Sequence, residues 1–520
     1  MTLNAQDVAA KIDALVTEPN RWATPCGNCR VVVEPGTGLL YPGPPPRVYC
    51  LPHAPEGAVA DLRAGKLLKA GHELRAYQRA GVRWLAGRRK GLLADQPGLG
   101  KTIQAVAALR EQPAVIVVGP KAAKGAWAEH ATWRDDIRPV LVDSARRSFR
   151  WPVPGEMLIF NYEQLPEEFP APPDWAVSLI VDEAHFCKSP SAKRTRLVRA
   201  LVARISPHPD ASWWLLTGTP QKKDPDDLWS VLCTGELHHE TWGTAGAFNR
   251  SFGGRRGRFG MQWSLNPPDA AIPDILRRVM LRRLKSDVLR ELPPKIWEKV
   301  IVQIDQQAVR AADKAISALR SVGVDLETVT YDALLTKITG PAFQEVSAAR
   351  AALAAAKVPA LLELVEQHED AYPTDPLLVW CFHKAPLLAL LQDRKEAGSA
   401  WEGILGQEHD PKGKKIQDRA ARFQAGELRG LGITYSKGGT SLTLTRADRA
   451  IHVDLCWTPP DNEQAEDRIH RFGQTRPVTY TRLIADHALD RRLFELLSQR
   501  EAVAAATIDR AWTLSEEYAA

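Results

Sequence analysis

What this chain of 520 residues has little of narrows its class first. Methionine (4) and cysteine (7) are scarce, and aromatic residues make up 7%. The cysteine count is odd, and Cys187, Cys233, Cys381 and Cys456 stand singly in apparent strands and helices, the pattern of reduced buried thiols rather than of a disulfide framework. No apolar run approaches the roughly 20 residues needed to span a bilayer. The N-terminal MTLNAQDVAAKID lacks a basic head followed by an apolar core. The expectation is a cytoplasmic chain without a membrane partner. Nor is there an excess of one charge: a net +6 permits an anionic partner without demanding one. With 44% hydrophobic residues, the chain has material for several cores, and its length fits two to four domains.

The other three cysteines sit together. Cys26-Gly-Asn-Cys29 and Cys50-Leu-Pro-His53 form a C-x2-C-x20-C-x2-H arrangement, in which each pair presents two ligands from one tight turn. Four such ligands match a closed tetrahedral Zn²⁺ site. The stretch between them is rich in Pro and Gly, so a metal would supply folding free energy that a small core cannot. Residues 1–60 are therefore read as a zinc-binding module, through which a protein partner could dock.

The stretch that organises the rest is Gly91 to Gln104, GLLADQPGLGKTIQ, an apolar strand, a turn-rich loop and a helix start. In a phosphate-binding loop the glycines let backbone N–H groups converge on phosphate, the lysine reaches the β- and γ-phosphates, and the hydroxyl holds Mg²⁺. Gly98, Gly100, Lys101 and Thr102 fit these roles, with Leu99 between the glycines. The strict pattern is not met, because Asp95 stands where the first glycine belongs. Just upstream, HELRAYQRAGVRWL is amphipathic at helical spacing, and its Gln78 could offer an amide to an adenine edge.

Downstream, apolar runs read as buried parallel strands. Ala114–Val118 leads into Gly119-Pro120-Lys121, and Met157–Phe160 into Asn161-Tyr162-Glu163. Leu179-Ile-Val-Asp182-Glu183-Ala184-His185 ends a strand in two carboxylates, at the end where open α/β sheets bind ligands. Asp182 would hold Mg²⁺ through water and Glu183 would polarise the attacking water. Trp213–Thr219 is a further strand that ends in Thr217 and Thr219, suited to sensing the γ-phosphate. His185 is grouped with these coupling residues.

The order AYQ, GLGKT, DEAH, TGTP resembles the first motor lobe of superfamily-two helicases, specifically the SNF-type ATPases. Met280 to Lys295, MLRRLKSDVLRELPPK, looks like that family's brace between lobes. Before it, Arg255 and Arg256 lie in a glycine- and arginine-rich loop suited to a phosphate backbone. In the second half, Phe382-His383-Lys384 is similar to the annealing-helicase, or fork-remodelling, branch. Lys437 to Leu444, with Gly438, Gly439 and Thr440, matches a loop that the resemblance places against DNA and nucleotide. The family usually has alanine at Lys437 and glycine at Ser441. Gln464 to Gln474, QAEDRIHRFGQ, is nearly the family's last helicase motif, which implies that Gln464 joins the nucleotide site. Arg468 and Arg471, three apart, would project from one helix face toward the γ-phosphate.

The resemblance implies an α/β fold of two RecA-like parallel-sheet lobes with helical insertions. The expected divisions are 1–60, zinc module; 61–297, lobe 1, with an insertion over about 222–280 and the brace at 280–295; 298–372, an alanine-rich helical insertion; and 373–520, lobe 2. ATP held by Lys101 and Thr102 from one lobe and by Arg468 and Arg471 from the other would close and reopen a cleft, moving the chain along double-stranded or branched DNA. The expected reading is a monomeric DNA translocase in annealing, fork remodelling, recombination or repair. A strand-separating helicase or RNA-dependent ATPase would share the motor, and an ATP-gated binding module would need a broken catalytic set. The alanine- and arginine-rich composition suggests a GC-rich bacterium or its phage.

Overall fold

In the computed structural model, the described residues are 71–142, 149–221, 224–257, 260–263, 269–329, 340–406, 414–435 and 442–504, with 68, 69 and 334 besides. Nearer the N-terminus it gives the backbone of four short strands. The described residues divide into two compact units, one up to Val288 and one from Leu289 onward.

The first unit is built on seven strands: β1 (Lys90–Leu93), β2 (Ala114–Gly119), β3 (Arg138–Leu141), β4 (Glu156–Asn161), β5 (Val177–Asp182), β6 (Ser212–Leu216) and β7 (Met280–Leu281). They pair in the order β7-β1-β6-β5-β2-β4-β3, all parallel. The runs AVIVVG and SWWLL are buried along their whole length, because helices cover both faces of such a sheet. Helices Ala76–Ala86, Lys101–Ala108 and Lys124–Ala131 pack Val82, Leu85, Ile103, Val106 and Trp127 against Val115, Val117, Ile180 and Leu216.

The second unit holds β8 (Lys295–Val302), β9 (Leu377–Cys381), β10 (Trp401–Ile404), β11 (Gly430–Thr434), β12 (Arg449–His452) and β13 (Val478–Ala485). Their order is β8-β13-β12-β9-β11-β10, again all parallel. The alanine-rich stretch forms helices Gln306–Ser321, Gly340–Ala356 and Val358–Ala371. Ala308, Ala312, Ala315 and Leu319 recur at helical spacing and pack with Leu489 and Leu493. Buried Lys357 donates to the carbonyls of Val453 (3.1 Å) and Leu483 (2.9 Å), tying these helices to the sheet.

Two parallel-sheet α/β halves are as expected, but the division falls elsewhere. Lys295–Val302, assigned to the end of lobe 1 and the start of an insertion, pairs with β13 over eight residues and is an edge strand of the second sheet. The segment 298–372 thus belongs to the second unit. No helix among the described residues is long and apolar enough to cross a membrane.

Of the expected zinc ligands, Cys26, Cys29 and His53 lie outside the described residues. Cys50 is described only as the last backbone position of strand Arg47–Cys50, which pairs antiparallel with Gly38–Tyr41.

Candidate functional site

Four neighbouring strands of the first sheet, β1, β6, β5 and β2, end at one level. Leu93 is in register with Leu216, Leu216 with Asp182, and Val118 with Val181. The loops that leave these ends carry the phosphate-loop residues, Thr217, the acidic pair and Lys121, so a parallel sheet gathers motifs that the sequence scatters.

The phosphate loop runs from Ala94 to helix Lys101–Ala108. Gly98 (φ +91°) and Gly100 (φ +76°) occupy the left-handed region. A Cβ on Gly100 would also lie 2.5 Å from the Gln78 amide nitrogen. The first-turn N–H groups of that helix have no intrahelical acceptor and carry the positive end of its dipole, an anion site by construction. Lys101 Nζ donates to the Asp95 carbonyl at 2.7 Å and reaches the Gln96 carbonyl at 3.5 Å. Burial lowers the pKa of this ammonium, while Glu183, Asp95 and Asp182 act the other way.

Opposite stand the two carboxylates. Asp182 Oδ2 accepts from Trp127 Nε1 at 2.8 Å and Oδ1 from the Glu183 N–H at 2.9 Å. Burial, then the neighbouring Glu183, pushes the Asp182 carboxyl up to about 6. Glu183 adopts φ +49°, ψ +52°, a left-handed conformation that a non-glycine residue holds only where its surroundings over-determine it. The buried Tyr162 hydroxyl helps by donating to the Asp182 carbonyl at 2.7 Å. His185 Nδ1 lies 3.2 Å from Glu183 Oε2, 3.0 Å from Thr217 Oγ1 and 3.5 Å from Thr219 Oγ1. One imidazole therefore joins the acidic pair to the threonine loop. That loop also approaches the phosphate loop, since a Cβ on Gly218 would sit 2.6 Å from Pro97 Cγ.

Several expected roles change. Asp95 does not face a phosphate: its carboxylate is fully buried and pairs with Arg283, 2.9 Å from Nε and 2.5 Å from Nη2, while also accepting from Gln104 Nε2 at 3.1 Å. Leu99 contributes a buried side chain to the core and its carbonyl to Gln104 Nε2. Gln78 caps its own helix, with Oε1 accepting from the Arg75 N–H at 2.9 Å and Nε2 reaching the Leu99 carbonyl at 3.4 Å. Lys121 is exposed at a one-turn helix, Lys121–Ala123. Arg255 and Arg256 are exposed as expected, but on a two-stranded hairpin, Arg255–Gly257 with Gly260–Gln262, rather than in an open loop. Sequence reasoning missed the roles of Arg282, Arg283, Trp127 and Tyr162. Two consecutive arginines directly after an apolar β7 were the available signal.

In the second unit, helix Pro459–Glu466 carries Gln464 and ends at Asp467, so Arg468 and Arg471 sit in the turns beyond it and not on one helix face. Glu466 and Asp467 both pair with Lys295 Nζ, at 3.4 and 3.1 Å. Successive residues on a helix point 100° apart, and both carboxylates reach one ammonium where the helix unwinds. Arg468 is buried, and Arg471 Nη1 donates to the Leu442 carbonyl at 3.0 Å. Burial lowers the Arg471 pKa. His383 is also committed: Nδ1 lies 2.5 Å from Asp454 Oδ2, and the same carboxylate accepts from the Phe382 N–H at 2.8 Å. Lys384 directly precedes helix Ala385–Glu396 and makes no capping bond with its side chain. Gly438, Gly439 and Thr440 lie outside the described residues.

Residues 77–324 match the family model described as SNF2-related domain. The chain is 26% identical over 499 residues to the mouse protein named DNA annealing helicase and endonuclease ZRANB3, covering 91% of this chain and 44% of that one. It is 27% identical over 462 residues to the Xenopus tropicalis SWI/SNF-related matrix-associated actin-dependent regulator of chromatin subfamily A-like protein 1, covering 83% and 44%. The chain thus spans less than half the length of these relatives. A solved structure, the Sulfolobus solfataricus SWI2/SNF2 ATPase core in complex with dsDNA, aligns at 22% identity and TM-score 0.37 over 86% of this chain and 96% of that one. The phosphate loop, acidic pair and threonine loop on one sheet end all fall within residues 77–324, the stretch that is similar to the SNF2-related domain.

Proposed function

We propose that this chain is an ATP-dependent translocase on double-stranded DNA that acts on duplex or branched substrates, in annealing or fork remodelling. The observation that carries the reading is the convergence of Lys101, Asp182, Glu183 and His185 on one end of the first sheet, with the lysine's ammonium held on the Asp95 carbonyl of its own loop, a bond it would exchange for phosphate oxygens. The naming of the mouse relative as a DNA annealing helicase supports the choice of substrate.

Lys101 and the N–H groups of the helix it opens would bind the β- and γ-phosphates, Thr102 and Asp182 would hold Mg²⁺, and Glu183 would orient water. Mg²⁺, when bound, neutralises charge on the transferring phosphoryl group. Trp127 and Tyr162 fix Asp182, so its carboxylate needs little reorganisation. His185 carries the state of Glu183 to Thr217 and Thr219. Arg468 and Arg471 are assigned to the transferring phosphate. Arg255 and Arg256 are assigned to the DNA backbone. A structural zinc on Cys26, Cys29, Cys50 and His53 belongs to the same proposal, since three thiolates and an imidazole make a zinc donor set. Purified protein should then contain stoichiometric zinc that a chelator removes. Lobes of the RecA type, a monomeric state and a cytoplasmic setting complete the proposal.

The test is ATP turnover with duplex, single-stranded and forked DNA and with RNA, each across a salt series. Duplex or forked DNA should stimulate most. Replacing Arg255 and Arg256 with alanine should weaken DNA binding across all sequences and flatten the salt dependence by roughly one unit of slope for each phosphate that is no longer neutralised. Stimulation by RNA with none by duplex DNA would overturn the reading.

A further inference from the structure

The function above leaves unexplained why the segment Met280 to Lys295 carries a buried cation near one end and a half-buried, ion-paired one at the other. Arg283 is fully enclosed, as is its partner Asp95. Its guanidinium bonds both Asp95 carboxylate oxygens, Gln104 Oε1 at 2.7 Å and the Tyr77 carbonyl. A planar fork with five donors is matched to such a set, and an ammonium is not. Asp95 is also the residue whose carbonyl holds Lys101 Nζ, at 2.7 Å. Backbone bonds complete the clamp: Ala94 N–H to the Leu281 carbonyl (2.7 Å), Gln96 N–H to the Arg283 carbonyl (3.0 Å), and Lys285 N–H to Gln96 Oε1 (2.7 Å). Arg282 Nη1 adds the carbonyls of Ala94 (2.9 Å) and Gly218 (3.0 Å). The phosphate loop is thus held from outside by residues far along the chain.

At the other end, Lys295 pairs with Glu466 and Asp467, the residues directly before Arg468. Glu466 Oε1 also accepts from Arg482 Nη2 (2.8 Å) and Trp297 Nε1 (3.2 Å), and its carbonyl from the Tyr480 hydroxyl (2.7 Å). His470 Nε2 lies 2.7 Å from the Pro293 carbonyl. The turn that bears the two arginines is therefore built on residues 293–297.

We propose that Arg283 and Lys295 are positioning residues at the two ends of one segment, Arg283 setting the phosphate loop through Asp95 and Lys295 setting the arginine-bearing turn through Glu466 and Asp467. The half concerning Arg283 requires only that Lys101 binds nucleotide; the half concerning Lys295 rests on the role proposed for Arg468 and Arg471.

The test uses the full chain, a fluorescent ADP analogue without DNA, and basal ATP turnover. Arg283→Met should weaken ADP binding by about 10-fold or more, because a small displacement of the loop misplaces its donors. Arg283→Lys should not rescue it. Asp95→Leu/Arg283→Met, which removes both buried charges and so keeps the chain folded, should bind ADP as weakly as Arg283→Met. Lys295→Met should leave ADP binding unchanged and lower basal kcat by about 10-fold or more, and Lys295→Arg should recover most of it. Wild-type ADP binding by either folded Arg283 variant would overturn the first half. Unchanged basal kcat in Lys295→Met, or weaker ADP binding there, would overturn the second. Should duplex DNA fail to stimulate the wild type while these patterns hold, the translocase reading falls and the positioning roles stand.

Discussion

Two acidic dipeptides, Asp182-Glu183 in the first unit and Glu466-Asp467 in the second, meet opposite electrostatic fates. Among the described residues Asp182 has no cation bonded to it, only the Trp127 and Glu183 N–H groups, and burial beside Glu183 pushes its carboxyl up to about 6. Burial would raise the Glu466 carboxyl too, but Lys295 and Arg482 hold it below its ordinary value. Lys295 in turn would be lowered by burial, yet Asp467 and Glu466 raise it. The second pair is matched by cations and acts as scaffold. At Asp182, negative charge is buried beside more negative charge, the arrangement of a group awaiting a ligand.

The largest expected effects are on turnover. Lys101→Ala and Glu183→Gln should each lower ATP hydrolysis by roughly 10³-fold, with Glu183→Gln retaining nucleotide binding, as steady-state rates and a fluorescent-nucleotide titration would report. Next comes stability. Glu466→Gln strips one partner from a buried pair and should destabilise by about 3–5 kcal/mol in denaturant unfolding. Asp182→Asn should do the reverse, stabilising the ligand-free chain by about 1–2 kcal/mol, because a carboxylate with no bonded cation is removed while an acceptor for Trp127 remains. Destabilisation by both would erase the distinction.

The smallest effect concerns His452, a fully buried neighbour of the second pair. Burial pushes its imidazole down to about 4, with Glu466 opposing and Arg482 and Lys295 adding to the fall. Its Nδ1 lies 2.5 Å from the Tyr435 hydroxyl. A histidine whose folded value is depressed contributes stability above its unfolded value of about 6.5 and loses it as pH falls toward 4, up to about 3 kcal/mol here. His452→Gln, which keeps an acceptor for Tyr435, should flatten the stability profile between pH 6.5 and 4. An unchanged profile would place the titrating group elsewhere.

Much of the candidate site was legible because its parts are local. A glycine-lysine-threonine loop after a strand, or two carboxylates ending one, carries its meaning within a few residues, and parallel topology then brings the strand ends together. What escaped depends on distance. Asp95 and Arg283 are 188 residues apart, and Trp127 and Asp182 are 55 apart. Nothing near Asp95 announces that its charge is buried, so it reads as a loop residue facing ligand. The spacing of Arg468 and Arg471 suggested a helix, yet the helix stops where Glu466 and Asp467 turn to Lys295, a partner more than a hundred and fifty positions earlier. The lobe boundary failed for a related reason: an edge strand half exposed to solvent, KIWEKVIV, lacks the unbroken apolar run that marked the central strands.

The most direct measurement is ATP turnover by wild type and Glu183→Gln with and without duplex DNA. Duplex DNA should raise wild-type turnover by about 10-fold or more, and the variant should bind nucleotide and stay near zero with or without DNA. Wild-type turnover indifferent to duplex DNA, or a variant that still hydrolyses ATP, would contradict it.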